Sequence, residues 1–433
     1  VGAPPWREAA ALTTFGLLRL RLWWERAVWV LPLLGILAAW VLTDALASVD
    51  EGPFADLDDL RLISTDSALA LLAAVGGGMV TFTGFVFSVV LLMVQYGSSA
   101  YSPRTVSYFV RSRTTQVVLA IFLLTIGFSL LSLIEVGSGR RPDYVPLGSV
   151  VVAILLLLAS LVAFLALLNE VGTRIRVDTV LSGIGHRSRR LMRRAFSATS
   201  SAVEHLAAPP GPDDDSSLVR YAGPPGQIVA VDVARLRRLV QRSGCHLVLT
   251  MQTGDAVSVG SRIARVTGAQ LSDREVSRCL LVDRERSLRL DPLYGLRILT
   301  DVALRALSAA VHDPTTAVRA LDEVEGVLRA AAGVPLGAVR LTSGEGSLVV
   351  LHATWSDVVD LALLEVLAAG IDQPQVTRRI SVLLDDLLLD LPPRLSAPLS
   401  AYRSRLVEQV QQRHPAEVEV RLLGDHQGIG GSA

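Results

Sequence analysis

Two groups of residues in this 433-residue chain have types and spacings that chemistry could use. The first is His312-Asp313-Pro314-Thr315-Thr316. An imidazole beside a carboxylate suits acid–base work. Asp313, Thr315 and Thr316 at the start of a helix would also suit an ion or a small anion. The same residues equally describe a helix beginning, with Asp as the cap and Pro in the first helical position. No nucleophile, metal-ligand set or cofactor cradle stands near them in sequence, so no residue is assigned a catalytic role.

The second group is Gly77, Thr81, Gly84, Ser88 and Gln95, at steps of 4, 3, 4 and 7, which places them on one helical face of an apolar run. Small and hydroxyl residues in a membrane helix serve close packing between helices. They can also line a wetted pore. The two uses are compatible if the helix packs on copies of itself around an axis. In the pore reading Thr81 and Ser88 line the path, and Gly76, Gly77, Gly78 and Gly84 permit close approach or hinging. Gln95 stands near the inner mouth, followed by Arg104, Arg111 and Arg113.

The elements that must position these residues follow from composition. Hydrophobic residues make up 51% of the chain and charged ones only 19%, against about a quarter in soluble proteins. With 41 basic and 41 acidic residues the net charge is +0, which excludes a nucleic-acid binder acting through a basic face. Every basic residue is arginine. Schiff bases, P-loop lysines and biotinyl or lipoyl attachment in this sequence are therefore excluded. Cys245 and Cys279 are too few for a disulfide framework and lack metal-ligand spacing, so no metal or cofactor is expected.

The apolar excess falls in four segments, about 27–47, 68–94, 116–136 and 145–168, each near the roughly 20 residues that cross a ~30 Å hydrocarbon core. A cleaved signal peptide is the alternative for the first, since Arg26 precedes it and Ala45-Leu46-Ala47 mimics a cleavage site. Arg7, Arg19, Arg21 and Arg26 precede the first segment. Arg104, Arg111 and Arg113 separate the second and third, and seven arginines from Arg174 to Arg194 follow the fourth. The loop between the first two is acidic, and only Arg140 and Arg141 dissent. The positive-inside rule then predicts cytoplasmic N- and C-termini. No carboxylate or arginine sits near the middle of a segment, as a proton-coupled transporter or voltage sensor would need. No inverted repeat is visible either, which leaves a passive pathway or none.

Beyond the membrane segments, residues 171–196 read as an arginine-rich helix that touches anionic lipid headgroups. Pro209-Pro210-Gly211-Pro212 is the best domain boundary. Strands at 227–231, 246–251, 256–259 and 262–266 surround Thr253-Gly254-Asp255, a turn that resembles those of biotinyl and lipoyl carrier barrels. We expect a small structural β-barrel there. Helices at about 292–311 and 315–332 flank the His312 group, and Ser343-Gly344-Glu345-Gly346-Ser347 signals a hairpin. Helices from Ser356 to about 369, at 375–391 and at 397–413, and a strand at 418–422, complete an α+β pattern.

Four stretches in this order, Ser99-Ala100-Tyr101-Ser102-Pro103-Arg104, Gly254-Asp255-Ala256-Val257, Ala303-Leu304-Arg305-Ala306-Leu307-Ser308 and Asp313-Pro314-Thr315-Thr316-Ala317, resemble the bacterial membrane-protein family known as domain of unknown function 2254. Ala309 and His312 depart from its pattern, standing where Pro and Asn are usual. The resemblance implies architecture and a bacterial inner-membrane location, and it implies no activity.

The expected protein is a four-helix transmembrane domain followed by a cytoplasmic α+β region with a small β-barrel-like unit. Its parts are a cytoplasmic segment (1–26), the transmembrane domain (27–170) and a juxtamembrane helix (171–208). A barrel-like domain (218–270), an α+β domain (271–424) and a flexible tail (425–433) follow. The expected function is a homo-oligomeric channel whose second membrane helix lines an ion pathway. A membrane-anchored sensor or scaffold without conduction is the alternative. Expected partners are the lipid bilayer, further copies of the chain and inorganic ions, with no nucleic acid and no enzymatic activity.

Overall fold

The structure is a computed structural model that describes residues 27, 29–50, 64–100, 113–137, 147–174, 176–197, 203–206, 208–211 and 215–413. Its residues divide into two compact units, one holding the apolar helices and one running from Val177 onward.

The first unit consists of α1 (Val30–Asp50), α2 (Thr65–Ala100), α3 (Arg113–Gly137) and α4 (Leu147–Arg174). Three of them are long and apolar enough to cross a bilayer over Thr65–Gln95, Arg113–Glu135 and Gly148–Thr173. The described apolar part of α1, Val30–Leu46, is shorter, so the expected four spans stand as three with a fourth apolar helix beside them. The expected spans themselves coincide with the four helices. Trp40, Leu92, Ile134 and Val162 are each at least 60% exposed, a surface that only a lipid solvent tolerates on this scale.

The hub is α3, on which α1, α2 and α4 all pack. A Cβ at Gly35 would run into the backbone of Ala120, and one at Gly127 would lie 2.9 Å from the Ala39 methyl. Small residues thus let α1 and α3 approach closely, which is how helices gain contact in lipid. Phe82 of α2 meets Phe122 of α3 and Phe164 of α4 with ring centroids 5.6 and 4.8 Å apart. Thr125 and Ser160 join α3 to α4 through a 2.9 Å hydroxyl contact.

The second unit begins with α5 (Val177–Ser197) and contains two open sheets. The larger has the order β1 (Val203–Leu206), β8 (Ala338–Ser343), β9 (Gly346–Leu351), β4 (His246–Leu249), β6 (Arg262–Thr267), β2 (Ser217–Arg220). All its pairings are antiparallel except β4 with β9. The smaller sheet is antiparallel, in the order β5 (Ala256–Val257), β3 (Gly226–Val231), β7 (Leu280–Asp283). One apolar core joins both sheets to α6 (Val233–Ser243) and to Val276 of the short α7 (Asp273–Ser277), with Ile228, Leu236, Leu247, Ile263 and Leu348 all fully buried.

The expected barrel-like unit is therefore not a closed barrel. Gly254, at φ 99°, turns the chain as anticipated, and the Ile228 and Asp255 backbones bond across it. However, β5 and β6 on either side of Ser258–Ser261 join different sheets, and β4 takes its second neighbour from β9, about 100 residues later. The short helix expected at about 233–242 is present as Val233–Ser243, and with the strands divided between two sheets too few remain in one for closure.

The remaining helices are α8 (Tyr294–Leu307), α9 (Pro314–Ala332), α10 (Trp355–Gly370), α11 (Pro374–Asp390) and α12 (Ser396–Arg413). They pack around α8 and α9 with Leu299, Leu321, Leu363 and Leu384 fully buried. The arginine-rich α5 packs there too, burying Val180, Leu181, Ile184 and Met192 against α8 and α9. It is thus one of the helices of a folded unit, not solely the lipid-contacting helix expected at 171–208. It ends at Ser197, and Val203–Leu206 is a strand.

Candidate functional site

The five residues expected to line a pore all lie on α2, whose 36 residues would extend roughly 54 Å. The helix buries Leu72, Val75, Met79, Val86 and Met93 against its own unit. Gly77, Thr81, Gly84, Ser88 and Gln95 are all exposed on the outside. Among the described residues nothing lies within 4 Å of a Cβ added at Gly77, Gly78 or Gly84. Gly76 differs, since its added Cβ would stand 3.3 Å from Leu130. Packing among the described residues therefore explains one glycine of this group and not the other three, each of which costs a helix about 1 kcal/mol relative to alanine.

The hydroxyls on this face are bonded back to their own helix. Thr81 donates to the Gly77 carbonyl at 3.3 Å and Ser88 to the Gly84 carbonyl at 3.0 Å. Each proton is thereby used, and the hydroxyl oxygen is left with acceptor lone pairs. Beside the face, Leu71, Gly78, Met79 and Phe82 of α2 and Leu157 and Leu161 of α4 line an apolar groove of about 340 Å³.

The buried hydroxyls of this unit lie elsewhere. Thr125, Ser129 and Ser132 of α3 and Ser160 of α4 are each at most 1% exposed. The Ser129 and Ser132 hydroxyls have no hydrogen-bond partner among the described residues. Thr125, Ser129 and Ser132 stand at steps of 4 and 3 in the third apolar segment, a sparser signal than the run of small and polar residues in the second. Of the expected inner-mouth arginines, Arg113 is exposed at the start of α3, and Arg104 and Arg111 lie outside the described residues. So do the whole of the expected 1–26 segment, the 418–422 strand and the 425–433 tail.

In the second unit His312, Asp313, Thr315 and Thr316 do come together, as a corner between α8 and α9. The Asp313 N–H returns to the Ala306 carbonyl at 2.8 Å, and the His312 N–H donates to the Ser308 carbonyl at 2.9 Å. This closure needs a left-handed residue, and His312 supplies it at φ 48°. Asparagine, usual here in the family that the sequence resembles, adopts that region readily, and histidine is also enriched there. Asp313 then caps α9, accepting from the Thr316 N–H at 3.1 Å and the Thr316 hydroxyl at 2.5 Å. The hydroxyl bond, reinforced by backbone N–H donors, holds the Asp313 carboxyl below the ordinary carboxylate range. Its lone pairs are engaged in ending one helix turn and starting another. That geometry is a helix corner, and His312 beside it is exposed on the surface.

The comparisons with known proteins agree with this membrane architecture. Proteins of Mycobacterium tuberculosis and Mycobacterium bovis, described only as uncharacterized, are 31% identical over 358 residues, covering 78% of this chain and 68% of theirs. No solved structure matches the chain. The model of the family described as predicted membrane protein, domain of unknown function 2254, matches residues 25–386, and the chain belongs to that family.

Proposed function

We propose that the protein is a homo-oligomeric membrane channel in which copies of α2 face one another about an axis and bound a passive ion pathway. The observation that carries this reading is the exposed row of Gly77, Thr81, Gly84, Ser88 and Gln95, with no neighbour among the described residues over Gly77 and Gly84. A smooth face of small residues suits helix-to-helix approach in lipid, and the hydroxyl oxygens offer acceptors to water or a cation. The arginine distribution supports cytoplasmic termini, with the α+β region as an assembly or gating domain. Acidic residues 50–66 would then concentrate cations outside, while Arg104, Arg111 and Arg113 would favour anions within.

A second reading, a membrane-anchored sensor or scaffold, is favoured by the hydroxyl protons already spent within α2. Such a face meets lipid or a packed helix without leaving a donor unpaired. The two readings separate on ion flux through purified protein in liposomes, measured for a cation and an anion. The channel predicts flux that Ser88→Trp abolishes with assembly intact. Unchanged flux in that variant removes Ser88 from the path, and no flux under any gradient or voltage favours the sensor.

A further inference from the structure

The larger sheet has two faces, and only one belongs to the core. Leu247, Leu249, Val266 and Leu348 point into it. By the alternation of a pleated strand, the residues between them point the other way. On that other face the registers Glu204–Arg340, Arg340–Val349, Val349–Val248 and Val248–Arg265 align one row across five strands. A second row runs Ser347–His246–Thr267. Pro210 and Gly211 border these rows and, with them, line an open-sided cavity of about 350 Å³.

This cavity has the composition of a binding site. Its floor is Val248 and Val349, the latter 1% exposed although it lies on the face away from the core. Arg340 and Arg265 stand at opposite sides of that floor, three strand spacings or roughly 14 Å apart at the backbone. Each guanidinium is already held in place: Arg265 donates to the Pro210 carbonyl at 3.0 Å, and Arg340 pairs with exposed Glu204 at 3.1 Å. A guanidinium has five N–H donors, so these contacts orient it and leave others for a ligand. His246 and Ser347, 2.9 Å apart, add an imidazole and a hydroxyl at one end.

We infer that this sheet-face cavity binds a small organic phosphate of about nucleoside-monophosphate size. The compact carbon part lies against Val248, which is only partly buried, and the phosphate is taken by the arginines. The donors outnumber what one carboxylate can accept, whereas a phosphate monoester offers three terminal oxygens and nearly two charges. The volume exceeds that of an inorganic anion and falls in the range of small-molecule pockets. The site does not depend on whether the membrane unit conducts.

The test is isothermal titration of the full chain in detergent with AMP, GMP, CMP and glucose 6-phosphate, alongside inorganic phosphate and succinate. At least one organic phosphate is expected to bind with one site per chain. Arg265→Gln and Arg340→Gln should each weaken it at least tenfold, and Glu204→Gln should tighten it by freeing Arg340. If one arginine variant fails to fold, the other and Val248→Trp, which fills the cavity, give the same answer. Binding of none of the four organic phosphates, a preference for succinate or inorganic phosphate, or affinity unchanged in the folded variants would overturn the assignment.

Discussion

Arg189 of α5 and Glu323 of α9 meet at 2.6 Å, and two glycines make the space they occupy. A Cβ at Gly185 would collide with the Glu323 carboxylate, and one at Gly326 would come within 2.7 Å of the Arg189 guanidinium. The side chains are only 25% and 20% exposed, so the pair is sheltered and its geometry is set by the helix packing around it. The clasp ties α5 to the helices of the α+β region.

Gly185→Leu should therefore separate α5 from α9. Overpacking of this kind costs about 1–3 kcal/mol, and Glu323 loses its partner as well. The expected outcome is a thermal midpoint lower by several degrees for the α+β region. Gly326→Leu should behave alike, and an exposed control such as Ser182→Leu should leave the midpoint in place.

Association through α2 predicts a pattern of cross-links. Cysteine at position 84 or 88 should form disulfide-linked dimers in membranes under mild oxidation. Cysteine at position 86 should not, because Val86 is 1% exposed and faces its own unit. Equal cross-linking at positions 86 and 88 would remove this face from the contact between copies.

The native cysteines should not interfere with that experiment. Cys245 and Cys279 are both fully buried, and burial pushes the Cys279 thiol up to about 12. The thiolate is the reactive form, so it is scarce at neutral pH. Maleimide labelling of the wild-type protein is expected only after denaturant is added, and labelling of the folded chain would contradict the burial.

The Asp313 cap makes a pH-dependent contribution with a definite sign. Its carboxyl ionises at lower pH in the folded chain than in the unfolded one. The stabilisation is thus complete above the unfolded value of about 3.9 and is lost as pH falls through the folded value. Asp313→Ala should cost about 1 kcal/mol at neutral pH. Asp313→Asn, still a good cap, should cost little at neutral pH and flatten the stability profile below pH 4, which denaturant titration across pH would read out.

Much of this fold was legible because its signals are local. The corner at His312-Asp313-Pro314, the glycine hairpin between β8 and β9 and the breaks at Pro209 and Pro210 all depend on residues within a few positions of one another. The four apolar segments declare themselves by length. Pairing of β4 with β9 and of β1 with β8 carries no such mark, because strands of similar apolar content could close in several orders. The barrel expectation failed for that reason: the Gly254 turn is real, but the partner of His246–Leu249 lies at Ser347–Val349. On α2 the spacing in the sequence places the five residues on one face, and the structure adds that this face is exposed among the described residues.

The buried hydroxyls of α3 offer a contrast that can be measured. Ser129→Ala and Ser132→Ala each remove a buried group without a partner among the described residues, so stability in detergent should hold or rise. Thr125→Val leaves Ser160 without its 2.9 Å contact and should cost about 0.6 kcal/mol, the average for such bonds in lipid. Steric or urea-based unfolding of the purified protein would rank the three.

The parallel seam in the larger sheet has a consequence for how the chain is made. Leu206 must wait for Ala338, about 130 residues later, before β1 has its neighbour, and His246 must wait for Ser347. At about 5–20 residues per second of synthesis, that interval is of the order of ten seconds. During it the apolar helices have already left the ribosome, while β2, β6 and β4 present an open strand edge. Biogenesis of this protein is thus a race between late arrival of β8 and β9 and capture of that edge by another nascent copy, and slower elongation between residues 250 and 338 should raise the aggregated fraction.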